Sequence, residues 1–174
     1  MRPFARQLCF ALFVTLVPHV AIAQQTRIDP AGIRGAVLLA GSYKLSEATC
    51  DKFVEIAGGA KANICIIIAD KGQLTESPFE QLAAAAKRKN ATAPTVVRLD
   101  RSADAIADAT GVWLHVDSLL NWTASLKKTP IGIPCRKLIE RGGIIGTAKD
   151  GIILAGGEFV NGTDEVALEL IPDG

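Results

Sequence analysis

Cysteine, histidine and aromatic residues are scarce in this sequence, and each scarcity removes a class of chemistry. The 174 residues include four cysteines, two histidines, one tyrosine and one methionine, and aromatic side chains make up 5%. No two cysteines stand in a CxxC spacing, which leaves zinc binding and thioredoxin-like redox chemistry without their ligands. Charge of one sign is also lacking: 19 Lys and Arg face 18 Asp and Glu. That balance gives no footprint for nucleic acid or an anionic membrane surface. No apolar run reaches the roughly 20 residues that a bilayer-spanning helix needs, so no stable membrane anchor is expected.

What is present at the start is a three-part export pattern. Arg2 and Arg6 give a positive beginning, Leu8 to Val17 an apolar run, and Ala21-Ile22-Ala23 a small-x-small site before Gln24. This reads as a secretory signal peptide over residues 1–23 with a cut after Ala23. The expected location is secreted or periplasmic, and residues 24–174 are long enough for one domain with a proper core. Cys9 and His19 leave with the leader. Of the remaining cysteines, Cys65 sits in Ile64-Cys65-Ile66-Ile67-Ile68 as a small hydrophobe, and Cys50 and Cys135 fall on expected helices. The one remaining histidine is His115.

Short apolar runs alternate with amphipathic stretches. Strands are expected at Ala36–Ala40, Ile64–Ala69, Thr95–Leu99, Gly111–Val116 and Gly143–Gly146, with Val166–Leu170 as a late strand. Helices are expected between them. One runs from Ser46 to Ala57, with Cys50, Phe53, Val54 and Ala57 inward. A second starts at the capping box Ser77-Pro78-Phe79-Glu80. A third spans Ser102 to Thr110, with Ala103, Ile106 and Ala107 inward. Others follow Asp117-Ser118, open at Pro134, and begin at Gly151. Wholly apolar strands are buried on both faces, and alternation with helices implies parallel pairing. The fold class is therefore α/β, a three-layer sandwich around an open, mostly parallel sheet. Ligands in such sheets bind beyond the carboxyl ends of the strands. That singles out the loops Gly41–Leu45, Asp70–Glu76, His115–Leu119 and Gly146–Gly151.

The last of these loops lies in a glycine-rich run, Arg141-Gly142-Gly143-Ile144-Ile145-Gly146-Thr147-Ala148-Lys149-Asp150-Gly151-Ile152-Ile153-Leu154. It has the build of a nucleophile elbow, where small residues admit a strained turn and an approaching substrate. It also suits a plain strand-to-helix turn whose glycines allow close packing.

The run resembles the elbow of the cyanophycinase and α-aspartyl dipeptidase family, serine exopeptidases with a fold like class I glutamine amidotransferases. That elbow reads GGxxxGTSAGA, with serine as nucleophile. A gapless match from Gly142-Gly143 to Gly151 places Lys149 at the serine and Asp150 after it. A one-residue gap matches Gly146-Thr147 and places Ala148 there instead. Gly35–Gly41, Phe53–Ala60, Ile64–Ala69, Ala109–Leu114 and Leu138–Gly143 are similar to other scaffold segments of the family. The resemblance implies a flavodoxin-like, class I glutamine amidotransferase-like sheet.

The same resemblance exposes departures. Ser42-Tyr43-Lys44 stands where the family has a glycine-rich loop. Val116-Asp117-Ser118-Leu119 stands where it has GGDQ, and a carboxylate at Asp117 would repel an oxyanion rather than donate to it. The resemblance runs out at Leu168–Gly174, ahead of the stretch that supplies the family's base, so the family's C-terminal part is expected to be missing. The expectation is an exported pseudo-hydrolase with no intact catalytic set, binding a peptide through Asp117 and Asp150 or binding a protein partner. The alternative is an active peptidase on acidic or aspartyl peptides that uses displaced groups: Ser118, Thr147 or Lys149 with His115. No metal or cofactor is implied. An uncovered sheet edge would permit self-association.

Overall fold

The computed structural model describes residues 34–69, 76–129, 131–155, 160–161 and 164–165. The expected signal segment, the 70–75 part of the second loop and the expected strand at 166–170 lie outside the described residues.

Five parallel strands form the central sheet: β1 (Ala36–Ala40), β2 (Ile64–Ile68), β3 (Thr95–Arg98), β4 (Gly111–His115) and β5 (Ile144–Ala148). Their spatial order is β1-β5-β4-β2-β3. Helices α1 (Glu47–Ile56) and α2 (Glu76–Arg88) pack on one face; α3 (Ser102–Asp108), α4 (Leu119–Lys128), α5 (Gly132–Glu140) and α6 (Gly151–Ala155) pack on the other. A short antiparallel pair, β6 (Val160–Asn161) and β7 (Asp164–Glu165), follows. The three-layer α/β fold with a parallel sheet is the one the apolar runs imply. Among the described residues no helix is long and apolar enough to cross a membrane.

The alternation of side chains along each strand divides the core in two. Ile64, Ile66, Ile68, Trp113, Ile144 and Ala148 meet Phe53, Val54, Leu82 and Ala85 of α1 and α2. Cys65, Ile67, Val112, Leu114 and Ile145 meet Ile106, Trp122, Cys135, Leu138 and Leu154 on the other side. Phe53 and Trp113 lie edge to face, with ring centroids 5.6 Å apart at 80°, the arrangement that the ring quadrupoles favour. On the opposite face the Trp122 indole N–H donates to the His115 carbonyl at 2.9 Å, which ties α4 to the end of β4.

Several boundaries and faces differ from the expectation. β5 does not stop at Gly146: it runs through Thr147 and Ala148, which pair with Leu39 and Ala40 of β1. Gly146 is a strand interior position whose missing side chain makes room for the Trp113 ring. α2 begins at Glu76, ahead of the serine read as its cap, and α5 begins at Gly132, ahead of Pro134. Both prolines sit in the first turn, where a missing N–H costs nothing. In α3 the inward positions are Ser102 and Ile106, while Ala103 and Ala107 are exposed. The buried Ser102 hydroxyl donates to the Leu99 carbonyl at 2.7 Å, so its polarity is satisfied inside. Leu120 is 68% exposed, and Trp122 carries the packing of α4.

Candidate functional site

Three of the four loops singled out by the sequence meet at the carboxyl ends of β1, β4 and β5, which are neighbours in the sheet. Each is held by the element that follows it. The loop after β1 ends at Ser46, whose hydroxyl accepts from the Thr49 N–H at 3.1 Å and caps α1. Inside it, Leu45 is buried and its N–H donates to Gln81 Oε1 of α2 at 2.9 Å. The loop after β4 ends at Ser118, the N-cap of α4, which accepts from the Asn121 N–H. Asp117 Oδ1 in turn accepts from the Ser118 N–H at 2.8 Å. These caps satisfy helix N–H groups that have no intrahelical partner.

The turn between β5 and α6 is the tightest of the three. Lys149 has φ +48, a left-handed conformation rare for a residue with a side chain. Its N–H still donates to the Ala40 carbonyl at 2.9 Å, extending the β1–β5 ladder by one bond. Its carbonyl already accepts from the Ile152 N–H at 3.0 Å, the first bond of α6. The chain thus passes from strand to helix over Lys149 and Asp150 alone, and both are exposed.

Tyr43 joins these loops. Its hydroxyl donates to the Val116 carbonyl past the end of β4. Its ring centroid lies 5.8 Å from that of His115, tilted by 54°. The Lys149 ammonium stands 4.6 Å from the same centroid, within cation–π range. Burial raises the phenol above its ordinary value of 10.0, and the nearby carboxylates Asp150 and Asp117 add to the rise. The phenol therefore stays protonated and keeps donating. His115 itself is buried, 3% exposed.

The structure sorts the candidate residues clearly. His115 and Lys149 lie against the Tyr43 ring, while Asp117 and Asp150 stand on the loops beyond β4 and β5. Thr147 does not: it is fully buried and its hydroxyl donates to the Leu114 carbonyl at 3.0 Å within the core. Ala148 is buried within β5, opposite Ala40. The Ser118 hydroxyl is engaged as the α4 cap. Among the described residues no three His, Cys, Asp or Glu side chains converge as a metal site would need. Sequence reasoning marked the Ser42-Tyr43-Lys44 loop as a departure and gave Tyr43 no role. The available signal was that the chain's one tyrosine stands in a loop that follows a strand.

No protein-family model and no curated protein matches the chain by sequence. Solved structures do match by shape. One is a candidate peptidase E protein from Listeria monocytogenes EGD-e, with TM-score 0.57 and 14% identity over 78% of this chain and 75% of that one. Another is a peptidase from an acI-B1 Actinobacterium, with TM-score 0.55 and 17% identity over 78% of this chain and 63% of that one. At such identities the shared property is the fold. It is the α/β fold that the cyanophycinase-like resemblance implies, and both neighbours bear peptidase names.

Proposed function

We propose that this chain is an exported, peptidase E- and cyanophycinase-like protein that has lost hydrolysis and keeps its cleft for binding a peptide. One observation carries the reading. Lys149 is the positive-φ residue of the turn between β5 and α6, the place where an elbow enzyme holds its nucleophile. The geometry favours the gapless register over the one that would put Ala148 there, because Ala148 is a buried strand residue.

Acyl transfer needs a hydroxyl, thiol or free amine within reach of a base. At this turn the side chain is an ammonium parked on a tyrosine ring. The nearest threonine hydroxyl, on Thr147, is spent inside the core. The Asp117 carboxylate past β4 supplies charge where an oxyanion would need donors. Exposed Asp150 and half-buried Asp117 remain as polar contacts for a peptide.

The test is direct. The secreted protein, incubated with aspartyl dipeptides, is expected to release no amino acid above a blank and to take no label from a fluorophosphonate probe. Calorimetric titration with short peptides is expected to show binding that weakens in Asp117→Asn. Hydrolysis or labelling that disappears in Ser118→Ala or Thr147→Ala would establish the active-peptidase alternative instead. Export predicts that the secreted chain begins at Gln24, which N-terminal sequencing reads. Among the described strands β1 ends the sheet on one side, and Leu39 on it is 42% exposed. Self-association through that edge predicts a mass by light scattering that falls on dilution.

A further inference from the structure

The run Gly41-Ser42-Tyr43-Lys44 is stretched between two fixed points at the carboxyl end of the sheet. At one end the Ala40 carbonyl accepts from the Lys149 N–H, which ties β1 to β5. At the other, Leu45 is buried and bonded to Gln81. Gly41, Ser42 and Lys44 are exposed, and Tyr43 is half-buried. Its hydroxyl donates to the Val116 carbonyl, 73 positions away. The strand order β1-β5-β4 places β5 between the strand that leads into Tyr43 and the strand whose end it bonds. The side chain therefore spans the end of β5. Alternation along β4 puts His115 on the face of Trp113, the face against which Tyr43 packs. There the two rings lie 5.8 Å apart, and His115 is 3% exposed.

We infer that Tyr43 is a strap that gates His115. Bonded to Val116, it seals the imidazole beneath its ring; released, it presents the imidazole to the cleft. One net hydrogen bond shifts such a balance by only about twofold to tenfold, far less than the folding equilibrium of a whole domain. The strap therefore opens while the sheet stays folded. The group it covers is the one histidine outside the expected leader. The gate does not rest on the peptide-binding reading, since it works in a cleft that binds nothing.

Diethylpyrocarbonate reads the gate. An imidazole nitrogen of His115 takes the ethoxycarbonyl group, and ethanol and carbon dioxide leave. Mass spectrometry of the His115 peptide gives the rate for that residue alone. Tyr43→Phe keeps the ring and loses the bond to Val116, so His115 is expected to react about fivefold faster than in the unmodified protein. Tyr43→Ala also removes the covering ring and is expected to react at least about tenfold faster. Ile106→Val supplies the control. Ile106 is fully buried on the other face of the sheet, and trimming it raises the globally unfolded population about fivefold. Through the strap, His115 is expected to react in Ile106→Val at the unmodified rate. Equal rates in Tyr43→Ala and the unmodified protein, with circular dichroism unchanged, would overturn the inference. So would an acceleration in Ile106→Val equal to that in Tyr43→Phe, which would mean that His115 is reached only by unfolding. Neither outcome touches the question of hydrolysis, which the dipeptide assay decides.

Discussion

The glycine-rich run from 142 to 151 contains two kinds of position, and they answer to different forces. Gly143, Gly146 and Gly151 are fixed by their neighbours. A Cβ at Gly146 would overlap the Trp113 ring and come within 2.8 Å of Phe53 Cε2. One at Gly151 would overlap the Thr147 hydroxyl and reach 3.0 Å from Val116 Cγ2. One at Gly143 would overlap the Leu138 side chain and stand 2.9 Å from its carbonyl. Lys149 and Asp150, between these glycines, are exposed. The frame of the elbow is thus a packing requirement of the sheet and its helices, while the turn is set by its own backbone and by Tyr43. A glycine pattern of this kind survives whatever happens to the chemistry at the turn, which is why the pattern alone says little about activity.

The largest effect that would sharpen this contrast is at Gly146. Its neighbours are rigid rings locked edge to face, so Gly146→Ala is expected to cost about 3 kcal/mol, the upper range for overpacking a close-packed core. Gly151→Ala is expected to cost about 2 kcal/mol, because the Thr147 hydroxyl must give up its bond to Leu114 to make room. Asp150→Ala, on the exposed turn, is expected to stay within about 0.5 kcal/mol of the unmodified protein. Urea midpoints at constant slope read all three. A cost at Asp150 equal to that at Gly146 would erase the distinction between frame and turn.

The same distinction separates what the sequence made legible from what it did not. The strands were legible because burial on both faces makes them continuous apolar runs, Ile64–Ile68 being the plainest. So were the helix after Asp117-Ser118 and the helix start at Gly151. The end of β5 was not: Gly146 looked like a terminator, and only its contact with Trp113, 33 positions earlier, shows it to be a strand interior. The inward face of α3 was misread for a similar reason. Alanines suggested burial, yet Ser102 is inside because the Leu99 carbonyl one turn earlier takes its hydroxyl. Tyr43 is the clearest case. Its role depends on Val116, His115 and Lys149 coming together from distant positions, and no local pattern encodes that.

A second test of the sealed frame uses its thiols. Cys50, Cys65 and Cys135 are buried, and burial raises them from an ordinary value of 9.0 to about 11, about 11 and about 12. A thiolate is therefore disfavoured in the folded chain relative to the unfolded one. Below pH 9 both states hold the proton and stability is unaffected. Above it the unfolded chain loses protons first, so stability falls as the pH rises from 9 through 11 and 12. One pH unit past 9, each thiol is expected to contribute a loss of up to about 1.4 kcal/mol. Urea midpoints that decline from pH 9 to 10, and a native protein whose three described thiols resist Ellman's reagent at pH 8, are the expected results. Rapid native labelling would show that the frame opens as readily as the turn.

The smallest effect isolates the turn's own backbone. Lys149→Ala and Lys149→Gly both remove the ammonium from the Tyr43 ring, so their difference reports only the left-handed conformation at φ +48. Glycine adopts it freely, whereas a Cβ costs about 1 kcal/mol there. Lys149→Gly is therefore expected to be more stable than Lys149→Ala by about 1 kcal/mol in urea. Alanine is then worse than glycine at both 146 and 149, for opposite reasons: its neighbours at one, its own backbone at the other. Trimming the neighbour separates them. In a Trp113→Phe background the smaller ring is expected to reduce the cost of Gly146→Ala and to leave the gap between glycine and alanine at 149 unchanged, since sites without shared partners add independently. A gap at 149 that shrinks along with the cost at 146 would mean that the turn is held by the core after all.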